Sequence, residues 1–73
     1  MQSLDGTVSR EYAIRILTDS GVSVSPQKGS NNDELVLAKS GYLEVRVLPD
    51  PISRKMIHYL SRKFEVSIHL FYS

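Results

Sequence analysis

The chain has 73 residues, a formal net charge of +1, 41% hydrophobic residues and neither cysteine nor tryptophan. That length admits one domain, and the missing cysteines exclude disulfides and thiolate metal centres. No apolar run approaches the ~20 residues that a membrane-spanning helix needs, and so weak a net charge does not by itself announce a polyanion partner.

A chain this short buries about 60% of its unfolded surface, so its stability margin is narrow. Cysteine-free composition fits a reducing compartment. The opening "MQSLDGTVSR" lacks the charged start and apolar middle of a signal peptide. Together these give the expectation of a cytoplasmic protein without a membrane partner.

Residues 1–8 read as a flexible lead-in and 9–73 as a single domain. Ser9 is suited to cap a helix, with Glu11 in the first turn where the helix dipole favours negative charge. In "REYAIRILTDSG", Ala13, Ile14, Ile16 and Leu17 share one arc, while Glu11, Arg15, Thr18 and Asp19 share the other. Gly21 supplies a left-handed helix stop. The period then changes to two in "VSVSP", where Val22 and Val24 alternate with serines and Pro26 closes the strand.

"PQKGSNN" follows as a polar loop. "ELVLA" reads as a second strand with Leu35 and Leu37 on one face. "YLEVRVL" reads as a third, with Leu43, Val45 and Val47 facing one way and Tyr42, Glu44 and Arg46 the other. The intervening Ser-Gly tip predicts a hairpin. Asp50 as N-cap and Pro51 at the first helical position predict a second helix. Its apolar positions are Ile52, Met56, Ile57, Tyr59, Leu60 and Phe64. The tail "EVSIHLFYS" alternates again, with Val66, Ile68, Leu70 and Tyr72 on one face, and predicts a fourth strand. The expected fold is α+β in the order α-β-β-β-α-β, with two helices on one face of a mostly antiparallel sheet.

Chemistry concentrates in two places. Arg54, Lys55, His58 and Arg62 fall on one face of the second helix with no acidic residue among them. Such a row suits phosphate contacts, which dominate nucleic-acid affinity. A charged helix face also serves solubility, and Arg62 and Lys63 complement the helix dipole. The second place is the loop, where Lys28, Ser30, Asn31 and Asn32 offer a cation and hydrogen-bonding groups. The two histidines, without cysteine or paired carboxylates, make neither a metal site nor a catalytic constellation, and no cofactor motif is present.

The stretch "AIRILTDSGVSVSPQKGSNN" resembles the N-terminal half of HicA-type toxins. Ile16-Leu17 and Gly21-Val22 stand at that family's spacing before Gln27-Lys28-Gly29-Ser30, and "YLEVRVLPDPISRKMIHYL" has the length and order of its last strand and second helix. The resemblance implies a double-stranded-RNA-binding-like fold, messenger-RNA cleavage by a loop histidine, and a HicB-type antitoxin as partner. Here Asn31 and Asn32 follow Gly29-Ser30 where the family's histidine is expected. An amide forms hydrogen bonds but does not titrate near neutral pH, as a general base must.

The expectation is therefore a non-catalytic module that binds structured RNA through Lys28, Ser30, Asn31, Asn32, Arg54, Lys55, His58 and Arg62. One alternative is a protein-interaction or homodimerisation module that uses the last strand, residues 65–72. A second is an RNA-cleaving toxin with a displaced catalytic group, for which His58 or His69 would have to serve.

Overall fold

A computed structural model describes residues 6–27, 29 and 34–72. Its elements are α1 (Arg10–Asp19), β1 (Ser23–Pro26), β2 (Glu34–Lys39), β3 (Tyr42–Val47), α2 (Arg54–Lys63) and α3 (Ile68–Phe71). The fold is α+β, and its first five elements follow the order expected from the sequence.

Helix α1 begins as predicted. The Ser9 hydroxyl accepts the Tyr12 N–H at 3.2 Å. At the other end the Gly21 N–H reaches the Thr18 carbonyl and the Val22 N–H the Leu17 carbonyl. This is a Schellman motif, with Gly21 at φ +93° in the left-handed position. Leu17 and Val22, the hydrophobic pair of that motif, are both buried.

The sheet is antiparallel in the order β1-β2-β3. Its β2–β3 hairpin turns through Ser40 and Gly41, both at positive φ as a type I′ turn requires. The register pairs Val24 with Leu37, Leu37 with Glu44, and Leu35 with Arg46. Paired residues share a face, so Val24, Leu35, Leu37, Glu44 and Arg46 stand together on the side that meets the helices. Leu37 is fully buried there. The alternation read in "YLEVRVL" holds, but its polar face is the inward one. Leu43, Val45 and Val47 are 63%, 41% and 47% exposed on the opposite, uncovered face.

Two sequence expectations need correction. Asp50 and Pro51 do not start α2. The N-cap is Ser53, whose hydroxyl accepts the Met56 N–H at 3.2 Å. The Asp50 carboxylate instead accepts the Arg10 N–H at 3.1 Å, so it caps the first turn of α1 from 40 residues away. Ile52 pairs with Val8 in an isolated antiparallel bridge, and both are buried. Val8, assigned from sequence to the lead-in, thus belongs to the core.

The fourth strand is the second correction. Residues 68–71 form the short helix α3. The cause lies at the end of α2, where Glu65 adopts a left-handed φ of +54° and the Val66 N–H reaches back to the Ser61 carbonyl at 3.0 Å. This is the 6→1 bond and left-handed residue of a Schellman motif, here without glycine, and it reverses the chain before any strand can run on. Four residues cannot sustain a helix alone. Burial of Val66 and Phe71 holds it in place, with hydrogen bonds from the Tyr12 hydroxyl to the Leu70 carbonyl and from the Tyr72 hydroxyl to the Gly6 carbonyl. Helix α3 packs against α1 and α2 rather than presenting an edge, so the strand that the homodimerisation alternative relied on is not formed.

Glu65 in a left-handed conformation carries a steric cost that glycine avoids. Glu65→Gly is expected to raise the unfolding free energy by about 0.5–1 kcal/mol. Urea denaturation followed by circular dichroism checks this, and a destabilised variant would contradict the Schellman assignment.

Candidate nucleic-acid interface

Helix α2 is held along one face and at its C-terminal end. Ile57 and Leu60 are fully buried, as is Phe64 just beyond its last turn. The Lys39 ammonium, from β2, donates to the Phe64 carbonyl at 2.7 Å and satisfies an orphan acceptor at the helix end. The opposite side is left to solvent. Arg54, Lys55, His58 and Arg62 are all exposed. At 100° per residue they occupy an arc of about 100°, and Arg54 and Arg62 stand about 12 Å apart along the axis.

No salt bridge or hydrogen bond joins these four side chains to another described residue. The nearest anionic cluster uses different partners. The Glu44 carboxylate accepts the Tyr42 and Tyr59 hydroxyls, each at 2.6 Å, and pairs with the Arg46 guanidinium. Arg46 in turn lies 4.5 Å from the centre of the Tyr59 ring. Glu44 is therefore occupied, and its charge does not neutralise the α2 row.

Partial desolvation pushes the Glu44 carboxyl up. The hydrogen bonds from Tyr42, Tyr59 and Arg46 outweigh it and hold the group below the ordinary carboxylate value. The same contacts act in reverse on Tyr42, whose hydroxyl is pushed well up, chiefly by its hydrogen bond to Glu44. A lowered folded-state value means that Glu44 contributes stability above its unfolded value of about 4.3 and loses it as pH falls through the folded value. Glu44→Gln is expected to cost about 1–2 kcal/mol at neutral pH and to lose that part of the acid dependence. Parallel urea titrations of both proteins between neutral pH and the acid limb test this. An unchanged acid dependence in the variant would assign the effect to other carboxylates.

An open depression of about 880 Å³ runs along α2 and is lined, among the described residues, by Arg54, Lys55, His58, Tyr59, Arg62 and Lys63. It brings together all four helix residues singled out in the sequence. Tyr59 and Lys63 complete it and were missed, Tyr59 because it reads as a core position and Lys63 because the helix dipole accounts for it. The Lys63 ammonium lies 5.9 Å from the centre of the Tyr42 ring and 5.8 Å from that of Tyr59. The signal that could have found Lys63 is its spacing from Tyr59, one turn earlier on the helix.

The loop half of the candidate site, Lys28, Ser30, Asn31 and Asn32, lies outside the described residues. Between them Gly29 is exposed at φ +76°. His69 sits on α3, exposed and on a different element from the α2 row, so the two histidines do not share a helix. Among the described residues no helix is long and apolar enough to cross a membrane, and no group of three or more His, Asp and Glu side chains is placed to hold a metal ion. Comparison with protein-family models, with curated proteins and with solved structures returns no match for this chain.

Proposed function

We propose that this domain is a non-catalytic nucleic-acid-binding module that takes structured RNA along α2. The observation that carries the reading is the row Arg54, Lys55, His58 and Arg62: exposed, on one arc, and without an acidic partner among the described residues. A row about 12 Å long is enough to reach more than one phosphate of a backbone. Anchoring supports it further, because a helix capped by Ser53 and Lys39 and buried through Ile57 and Leu60 presents its cations at fixed spacing.

Double-stranded RNA is read by shape and backbone contacts rather than by base edges, which suits a row of cations. The order α-β-β-β-α accords with the HicA-type resemblance of residues 10–62. The amides at Asn31 and Asn32 favour binding over cleavage, since neither moves a proton near neutral pH.

Titration of the isotope-labelled chain with a short RNA duplex, followed by amide and side-chain NMR shifts, tests the placement. Shifts are expected to concentrate at residues 53–63 and the His58 ring. Shifts confined to α1, or to the uncovered face of the sheet, would overturn it.

A further inference from the structure

We propose that the free edge of β3 pairs with the β3 of a second copy of this chain, antiparallel about a two-fold axis through Val45. Among the described residues β3 pairs only with β2, which leaves its other side without a strand. Natural edges are blunted by proline, by lysine or by a covering element. The opposite edge of this sheet has such a device, since β1 ends at Pro26. The β3 sequence "YLEVRV" has neither proline nor lysine, and its inward-facing charges, Glu44 and Arg46, oppose pairing only in registers that set like charges together.

The strand is also its own complement in the register that pairs the longest stretch without opposing like charges. Residues directly opposite in an antiparallel pair share a face, so a two-fold axis perpendicular to the sheet must pass through a residue. An axis through Glu44 would set Glu44 against its own copy, and an axis through Arg46 would set two arginines together. Like charges directly opposite are destabilising. An axis through Val45 sets each Glu44 opposite the other copy's Arg46 on the helix side. On the uncovered face it sets Val45 against Val45 and Leu43 against Val47.

Those three side chains are all exposed, at 63%, 41% and 47% for Leu43, Val45 and Val47. Beside them on β2 stand Val36, opposite Val45, and Ala38, opposite Leu43. Pairing extends this apolar strip across a six-stranded sheet and covers the row of unpaired backbone groups. A single six-residue strand pair is a small interface, so the dimer is a weak one. Because the axis is perpendicular to the sheet, both α2 helices lie on the same side of it.

Cysteine capture tests the register directly, since the chain contains no cysteine. Val45→Cys, Leu43→Cys and Val47→Cys all fall at exposed positions, and circular dichroism confirms that each variant folds. Opposed residues in a ladder lie within disulfide reach, whereas Leu43 and its own copy would stand about 14 Å apart along the strands. Under mild oxidation at about 0.5 mM, chosen because the interface is small, Val45→Cys is expected to convert mostly to covalent dimer. Leu43→Cys alone and Val47→Cys alone are expected to remain monomers, and an equimolar mixture of the two to give the mixed dimer. A monomeric Val45→Cys, or Leu43→Cys crosslinking to itself as readily as Val45→Cys, would overturn the proposal.

Discussion

Replacing Arg54, Lys55 and Arg62 together with alanine is expected to weaken binding to a short RNA duplex by at least about a hundredfold at low salt. Each cation that neutralises a phosphate releases counterions, so each contributes close to one unit to the slope of log affinity against log salt. The variant should therefore lose about three units of slope as well as affinity. The loss should be nearly uniform across duplex sequences, because phosphate contacts position a protein without reading bases. Folding is not the confounder it would be in the core. All three side chains are exposed, and no described residue depends on them for a salt bridge or hydrogen bond. A variant with unchanged affinity and slope would reduce the α2 row to a solvated helix face.

The largest expected effect on stability is at Phe71. This ring is 1% exposed, while Leu70 beside it is 44% exposed. Phe71→Ala is expected to destabilise by about 3–5 kcal/mol, combining lost burial with the cavity left behind. A 73-residue domain holds only about 4–11 kcal/mol in total, so this variant should lose a large share of its stability. Leu70→Ala should cost less than about 1 kcal/mol. The pair discriminates between the two conformations of the tail. In a strand, Leu70 would share the buried face with Val66 and Ile68, and Phe71 would point away. Urea denaturation of both variants decides it, and a Leu70→Ala cost larger than that of Phe71→Ala would contradict the helix α3.

What the sequence made legible was local. Ser9, Gly21 and the Ser40-Gly41 tip each act within a few residues, and each does what its residue type suggests. The α2 row was legible for the same reason, since helical spacing alone groups Arg54, Lys55, His58 and Arg62. The corrections come from contacts distant in the chain or from an atypical residue. Both Asp50 and Ser53 are good N-caps, and the choice between them is made by the Arg10 N–H, which recruits Asp50 to α1. Val8 reads as lead-in because its bridge partner, Ile52, lies far along the chain.

The inward face of β3 was equally hidden, because Glu44 is satisfied there by Tyr59, fifteen residues later. The fourth strand failed at one residue. Glycine at 65 would have announced a chain reversal, whereas glutamate in the same left-handed conformation gives no such signal. Alternation in "VSIHLFY" then passed for a strand, although the tail buries Val66 ahead of α3 and Phe71 within it, five residues apart.

Pairing through β3 and binding through α2 are compatible, because a two-fold axis perpendicular to the sheet keeps both basic rows on one side. The reading of function nevertheless rests on α2 alone. Fluorescence anisotropy of a labelled RNA duplex of ~20 base pairs, long enough for the ~16 that a double-stranded-RNA-binding domain spans, tests it most directly with the unmodified chain at low and moderate salt. Saturable binding that weakens steeply as salt rises is the predicted result. No binding at low salt would contradict the account.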